Sequence, residues 1–493
     1  MNMIATLLVS NILHFFAPDT AQHQLIVGSY TKKGNPGIEV YAVNAVTGKP
    51  KLLYTKENAN ASYLTLANNG KSMYAVTEGG KDASFVSAYQ LDATNQFQKL
   101  NQEPIKGAAP CFIVSRPESK TVYTANYTSG SVSVFKTLDN GALLPIAQEI
   151  NYSGSSIHKA RQEASHAHNV VLTPDHNQLL VTDLGADKIY MHKIYADGLL
   201  DEKYTSVSIT PGNGPRHFVF NNSGTHGYLI NELSGTVDVF SIRANALEKI
   251  QTITADTAKT TATKGSGDIH ISPSGKWLIT TNRVTSEQLT VFKIEADGKL
   301  TKMYHQPVAQ RPRNFSFSPN GNFVFVASQT EDKVQIFSFD DATGKLTNTN
   351  QDMAVSGPVC LVFSNDPIEV NPEERIKQLN IQLIPVVPPI ANYVKQVQVG
   401  NLVYLSGHGP DKPGGGQMFG HLGKDVTIEE GQLAARLTGI SMISTLKAHI
   451  GDLNRVKRIV KVLGLVNSEP NFTQQPKVMN GFYNLMVEIF GER

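Results

Sequence analysis

The strongest constraint on this chain is a repeat that begins and ends partway through a unit. Between residues 24 and 363 an apolar strand leads to a turn such as Pro-Asn-Gly or Pro-Ser-Gly, then to a second strand ending in a polar residue. An alternating strand ending in Val-Phe or Val-Tyr follows, then Asp-Gly or Thr-Gly before a leucine; residues 218–240, 269–292 and 315–337 show the pattern plainly. Matching starts fall near Ser62, Pro110, His166, Pro215, Asp268, Pro312 and Pro358, roughly 44 to 56 residues apart, the period of a four-stranded unit. Six starts open a complete unit. The seventh supplies one strand, and residues 24–54 supply the strands it lacks. Pairing the two ends closes the array and removes the free sheet edge that would invite aggregation. The repeat therefore predicts an all-β, seven-bladed β-propeller over residues 24–365. An open sandwich array would leave the half-units unexplained.

Propeller topology gathers residues that are distant in sequence. In each blade the innermost strand starts, and the second strand ends, at the same mouth of the central channel. First-strand starts include His166, His168, Arg216, His217, His270 and Arg313. Second-strand ends include Glu78, Asn126, Asp183, Glu232, Arg283 and Gln329. Both sets are expected to ring one funnel. Ionisable groups at the ends of otherwise apolar strands point to an active face there, and the stretch from Ser165 to Glu232 is the densest part of it. A structural alternative for Arg216 and Glu232 is an ion pair across the channel mouth. His166 and His168 share a strand face, but no compact ligand cluster surrounds them, so no metal and no cofactor are expected. No Gly-x-Ser-x-Gly elbow is present to suggest a serine triad.

Past residue 365 the texture changes. Residues 366–390 read as a linker containing a short helix at 372–379 and a Pro-rich run at 384–389. Strands are predicted at 393–399, 402–406 and 456–467, and helices at 427–449, with Thr427 as N-cap, and at 474–490. Residues 391–493 are thus a separate, smaller α+β domain. At the other end, the apolar stretch at 3–17 within the extension 1–23 is too short to span a membrane and reads as a signal-peptide core, which implies a periplasmic or secreted protein, with a cytoplasmic one as the alternative. No later segment could span a bilayer. A net charge of +2, without runs of Lys/Arg interleaved with aromatics, gives no reason to expect nucleic acid as a partner. The two cysteines, Cys111 and Cys360, occupy equivalent repeat positions and are expected as small buried hydrophobes.

The marks Ser-His-Ala-His (165–168), Asp-Leu-Gly (183–185), Gly-Pro-Arg-His (214–217), Asn-Glu-Leu (231–233), Asn-Arg (282–283) and Pro-Arg-Asn-Phe (312–315), with Gly-Ser-Tyr-Thr (28–31), Asn-Tyr (126–127) and Gly-Pro-Val-Cys (357–360), resemble the seven-bladed lactonase family. That family includes bacterial 6-phosphogluconolactonases and fungal carboxy-muconate lactonising enzymes. The resemblance implies hydrolysis of an anionic, sugar-derived lactone, with 6-phosphogluconolactone the leading candidate. An unphosphorylated lactone, a lactonising reaction or a non-catalytic binding propeller are the alternatives. The implied catalytic set is His168, Arg216, Glu232 and Arg283, and substrate contacts are expected from His166, His217, Arg313, Asn126 and Asp183. Lactone hydrolysis needs a base for water, a donor for the oxyanion and cations for the substrate's charge. Glu232 suits the base or proton shuttle, Arg216 the lactone oxygen or a carboxylate, Arg283 and Arg313 a phosphate, and His168 the ring oxygen. Asp183 also suits a turn cap.

The C-terminal domain resembles the Rid (YjgF-like) family, trimeric proteins of a chorismate-mutase-like fold. The carrying residues are Ala-Asn-Tyr (391–393), Leu-Ser-Gly-His-Gly-Pro (405–410), Glu-Gly (430–431), Ala-Ala-Arg (434–436) and Gly-Asp-Leu-Asn-Arg (451–455). The resemblance implies a homo-oligomer formed through this domain. The family's carboxylate-binding Arg, on a strand beyond the last helix, has no counterpart before Gly-Glu-Arg at 491–493. The domain is therefore expected to be truncated, without deaminase activity.

Overall fold

A computed structural model describes residues 22–31, 34–67, 70–92, 95–243, 246–260, 263–367, 371–386 and 392–491. The signal-like stretch at 3–17 and the cleavage region to 21 lie outside the described residues.

Seven antiparallel sheets follow one another around a ring. Their innermost strands are Pro358–Pro367, Leu64–Ala67, Pro110–Arg116, Ala167–Leu172, Pro215–Phe220, Ser266–Ile271 and Pro312–Phe317. Each packs against the next, and Pro358–Pro367 meets Leu64–Ala67 to close the circle. The closing blade is built from both ends of the repeat. Gln22–Ser29 pairs with Pro358–Pro367 on one side and with Gly37–Asn44 on the other. The half-units are thus complementary parts of one blade, as the repeat predicts.

The recurring turns also have a packing role. Gly141, Gly198 and Gly298 all have positive φ, a region that costs other residues strain. The carbonyl of each accepts a hydrogen bond from a buried tyrosine of the preceding blade: Tyr74 (3.0 Å), Tyr123 (2.7 Å) and Tyr228 (3.0 Å). Between blades lie apolar layers such as Tyr123, Val132, Val134, Val170, Leu179 and Val181. Cys111 and Cys360 are free, buried thiols within such surroundings.

The C-terminal unit holds α1 (Pro372–Gln378), α2 (Ile428–Ile450) and α3 (Gln475–Phe490), with a two-stranded sheet of Gln396–Val399 and Leu402–Leu405. The Thr427 side chain and Glu430 form a reciprocal capping box at the start of α2. Ile376 of α1 packs with Ile440, Phe482 and Leu485, so the helix in the expected linker contributes to this unit's core. One expectation is corrected. Residues 456–467 do not form a strand: Val460, Leu463 and Leu465 are exposed, and the adjoining Ser468 makes a single isolated bridge to Leu422. Alternating apolar residues make a strand only where a neighbouring edge is offered, and the small sheet offers none to this segment.

Candidate active site

A shared irregularity of the inner strands builds the site. The first paired residues, Pro110, Ala167, Pro215 and Pro312, sit opposite Asn126, Asp183, Asn231 and Ser328, and the register then slips by one. A bulge of this kind re-aims the extra side chain. Cys111, His168, Arg216 and Arg313 are those extra residues. The opposite strands contribute the residue just past their last pair, which is Tyr127, Glu232 or Arg283.

Glu232 is the centre. Its backbone is fixed by its own N–H to the Gly214 carbonyl (2.7 Å) and by Gly265 N–H to its carbonyl (2.8 Å). Its carboxylate, only 4% exposed, meets three guanidiniums: Arg161 Nη2 at Oε1 (2.8 Å), and Arg216 Nε (3.0 Å) and Arg283 Nη2 (2.9 Å) at Oε2. His168 Nε2 lies 3.9 Å from Oε2. Burial alone would raise the carboxyl pKa, but Arg283, Arg216 and Arg161 hold it down at about 2. Burial, reinforced by Arg216 and His217, pushes His168 well below the ordinary imidazole value. The ring is therefore neutral at physiological pH, with one N–H and one lone pair to offer.

Arg216 is held from behind. Its Nη1 donates to the Gly267 carbonyl (2.7 Å) and approaches His217 Nε2 (3.0 Å), while His217 Nδ1 contacts Asp268 Oδ1 (2.7 Å). Asp268 Oδ2 also takes His270 Nε2 (2.8 Å) and the Asn314 amide. Burial and the Arg216 charge bring His217 down to about 4 despite Asp268; the same carboxylate raises His270 against its own burial. The pair at Asp268 therefore carries one neutral and one readily charged imidazole. Phe112 packs edge-on against His217.

The remaining expected residues divide cleanly. Arg313 lies over the Tyr30 ring (5.2 Å), whose hydroxyl donates to Glu78 (2.8 Å). His166 is buried, stacked on Tyr127 and bonded to Glu163 (3.1 Å) and the Tyr127 carbonyl (3.0 Å). Asn126 and Asp183 do not reach the cluster. Asn126 donates to Ser131 and Ser133 of its own blade. Asp183 accepts from the backbone of His166, Gly185 and Ala186 and from Ser165 and Tyr190, which makes it the turn cap of its blade. Arg161 and Tyr127 are site residues that the repeat register did not single out, and Asp268, one of its starts, was given no site role. Burial pushes the Cys111 thiol up, so it is no nucleophile. Among the described residues no group of three or more His, Cys, Asp or Glu could hold a metal ion.

The mouth thus sets four guanidiniums (Arg161, Arg216, Arg283, Arg313) against the carboxylates of Glu232, Glu78 and Asp268, with the neutral imidazole of His168 beside Glu232. Residues 24–363 match the family model "Lactonase, 7-bladed beta-propeller". The chain belongs to that lactonase family. Its propeller is 34% identical over 343 residues to a 6-phosphogluconolactonase of Formosa agariphila, covering 68% of this chain and 97% of the relative. It is 31% identical over 345 residues to a Bacillus subtilis 6-phosphogluconolactonase, with the same coverage of both chains. Among solved structures, the Pseudomonas aeruginosa periplasmic gluconolactonase superposes with a TM-score of 0.66 at 32% identity, over 70% of this chain and 99% of that one. Residues 373–493 match the YjgF/chorismate mutase-like family. The lactonase propeller is therefore joined to a second, unrelated unit.

Proposed function

We propose that this lactonase hydrolyses an anionic sugar lactone at the arginine-ringed mouth, with 6-phosphogluconolactone as its substrate and 6-phosphogluconate as its product. The observation that carries the reading is one buried carboxylate, Glu232, shared among Arg161, Arg216 and Arg283. Water adds to the lactone carbonyl, the acyl C–O bond breaks, and the proton from water ends on the departing ring oxygen. Glu232 takes that proton, neutral His168 beside it passes it to the ring oxygen, and Arg216 stabilises the oxyanion. Arg283 and Arg313 hold the substrate's charge. The names of the two 6-phosphogluconolactonases support a phosphorylated substrate, whereas the gluconolactonase of P. aeruginosa keeps the unphosphorylated one as a second reading.

The test is kinetic. The full chain should turn over 6-phosphogluconolactone in preference to gluconolactone, and Glu232→Gln should lower the rate by at least about 100-fold. Preference for gluconolactone would move the assignment to the second reading, and absence of Glu232-dependent turnover of either would leave a binding propeller. The proposal also includes export, tested by fractionating cells that express the chain. It includes self-association through the C-terminal unit, where the exposed Val397, Val399, Leu402 and Tyr404 pair onto one face of the small sheet; light scattering tests it.

A further inference from the structure

We infer that Arg161 is a further substrate-anion residue of this site, beside Arg283 and Arg313: it exchanges Glu232 for the substrate's phosphate on binding, and the exchange frees Oε1 of Glu232 to take the proton from water. The inference rests on the reading of the site as a hydrolase of an anionic lactone.

Three features set Arg161 apart from the other two guanidiniums around Glu232. The first is exposure: its side chain is 37% exposed, against 3% for Arg216 and 12% for Arg283. The second is its place on the carboxylate. Arg216 and Arg283 both bind Oε2, whereas among the described residues Arg161 is the one donor to Oε1. Its departure would uncover one oxygen and leave the other clamped, so the carboxylate would keep its orientation. The third is the base on which it stands. Gln162, fully buried, donates to the Leu184 carbonyl (2.9 Å) and to Asp187 Oδ2 (2.7 Å), and Asp187 also accepts from Gly212 and Gly214 N–H. His158 ties the same loop to Thr263 (3.1 Å) across the mouth. The backbone beneath Arg161 is therefore fixed, and only the long side chain needs to swing.

The chemistry favours the exchange. A guanidinium binds a phosphate through two parallel charge-assisted bonds, while its bond to Glu232 uses one nitrogen. At rest Glu232 is a weak base because Arg283, Arg216 and Arg161 hold its pKa at about 2. Removing one of the three raises its basicity when, and only when, an anionic substrate is present to draw that arginine away. A lactone without the anion would find Glu232 still capped. Selectivity for the charged substrate then arises in the chemical step as well as in binding.

The experiment compares the wild type with Arg161→Gln and Arg161→Lys in the full chain. Losing a charge-assisted contact corresponds to about a 10- to 100-fold effect. Arg161→Gln should raise KM for 6-phosphogluconolactone by that factor and raise kcat/KM for gluconolactone several-fold. The acid limb of its kcat/KM profile should move to higher pH. Arg161→Lys should restore part of the discrimination. Calorimetric titration with inorganic phosphate gives a readout without turnover, and affinity should fall about 10-fold or more in Arg161→Gln. An unchanged ratio between the two lactones, or an equal loss of kcat on both with unchanged phosphate affinity, would overturn the assignment. Absence of Glu232-dependent turnover in the wild type would instead sink the underlying hydrolase reading, while the phosphate titration would still decide Arg161.

Discussion

Asp268→Asn is a near-isosteric change whose cost can be worked from the donors around it. Oδ1 of Asp268 accepts from His217 Nδ1 (2.7 Å) and Ile269 N–H (2.9 Å); Oδ2 accepts from His270 Nε2 (2.8 Å) and the Asn314 amide. An asparagine must turn one of those oxygens into an NH2 group. If it replaces Oδ2, it faces the Asn314 NH2. Asn314 cannot flip, because its own oxygen accepts from Leu361 N–H (2.7 Å). If it replaces Oδ1, it faces the Ile269 backbone N–H, and His217 must move its proton to Nε2, against the Arg216 guanidinium. Both orientations leave a buried donor against a donor. A stranded buried donor costs about 1–3 kcal/mol and a lost charge-assisted bond about 1.5–3, so the sum is about 2.5–6 kcal/mol. Loss of one partner from a buried ionic group has a similar cost.

The assay is thermal unfolding at pH 7.5 with Asp139→Asn, an exposed partner of Lys120, as the comparison. At roughly 1.4 °C per kcal/mol for a propeller spanning residues 24–363, Asp268→Asn should melt about 4–8 °C below the wild type, and Asp139→Asn should melt with it. Turnover should also fall, since Asp268 reaches Arg216 only through His217. An Asp268→Asn protein that melts within about 2 °C of the wild type would refute the donor argument. It would mean that Asp268 is protonated or that the site repacks.

Two further outcomes follow from the same geometry. His217 has a pKa of about 4 in the folded chain against an ordinary 6.5, so the unfolded chain takes up the proton first as the pH drops. Stability should be complete above pH 6.5 and fall by up to about 3 kcal/mol toward pH 4; Glu232, depressed to about 2, adds a further loss below about 4.5. Melting curves across pH 4–7 check this, and His217→Gln should make them less steep, with buried His168 supplying slope that remains. Gly298→Ala places a Cβ 2.1 Å from His226 Cδ2 at a φ of +80°, and urea titration should show a loss of about 2 kcal/mol or more.

The seven blades were legible because each blade repeats the same strand and turn chemistry, and because the fragments at the two ends were complementary. The funnel was legible for a subtler reason: Cys111, His168, Arg216 and Arg313 occupy one position of one repeat, and that position is the bulge. The same reasoning failed by a single residue for Asn126 and Asp183. They are the last paired residues of their strands, where a polar side chain turns back to satisfy its own blade; Asn231 does the same with Thr236 and Asp238. Tyr127, Glu232 and Arg283, which follow Asn126, Asn231 and Asn282, are past the last pair and reach the channel. A pattern read to within a residue cannot separate these two positions, since both are polar and both end a strand.

Arg161 could not be found by register at all, because it lies in the long connection between Leu143–Asn151 and Ala167–Leu172, outside the repeated pattern. Asp268 was visible as a repeat start, but its role depends on His217 and Asn314, one from each neighbouring blade. These omissions share a cause. The repeat encodes what each blade does for itself, whereas the chemistry depends on what three blades and one loop do to a single carboxylate. With Arg161, Arg216 and Arg283 all engaged, Glu232 is an ion-pair anchor; with Arg161 drawn away, it becomes a base. The structural ion pair and the catalytic group that the sequence offered as alternatives are then two states of one residue, and the substrate's charge selects between them.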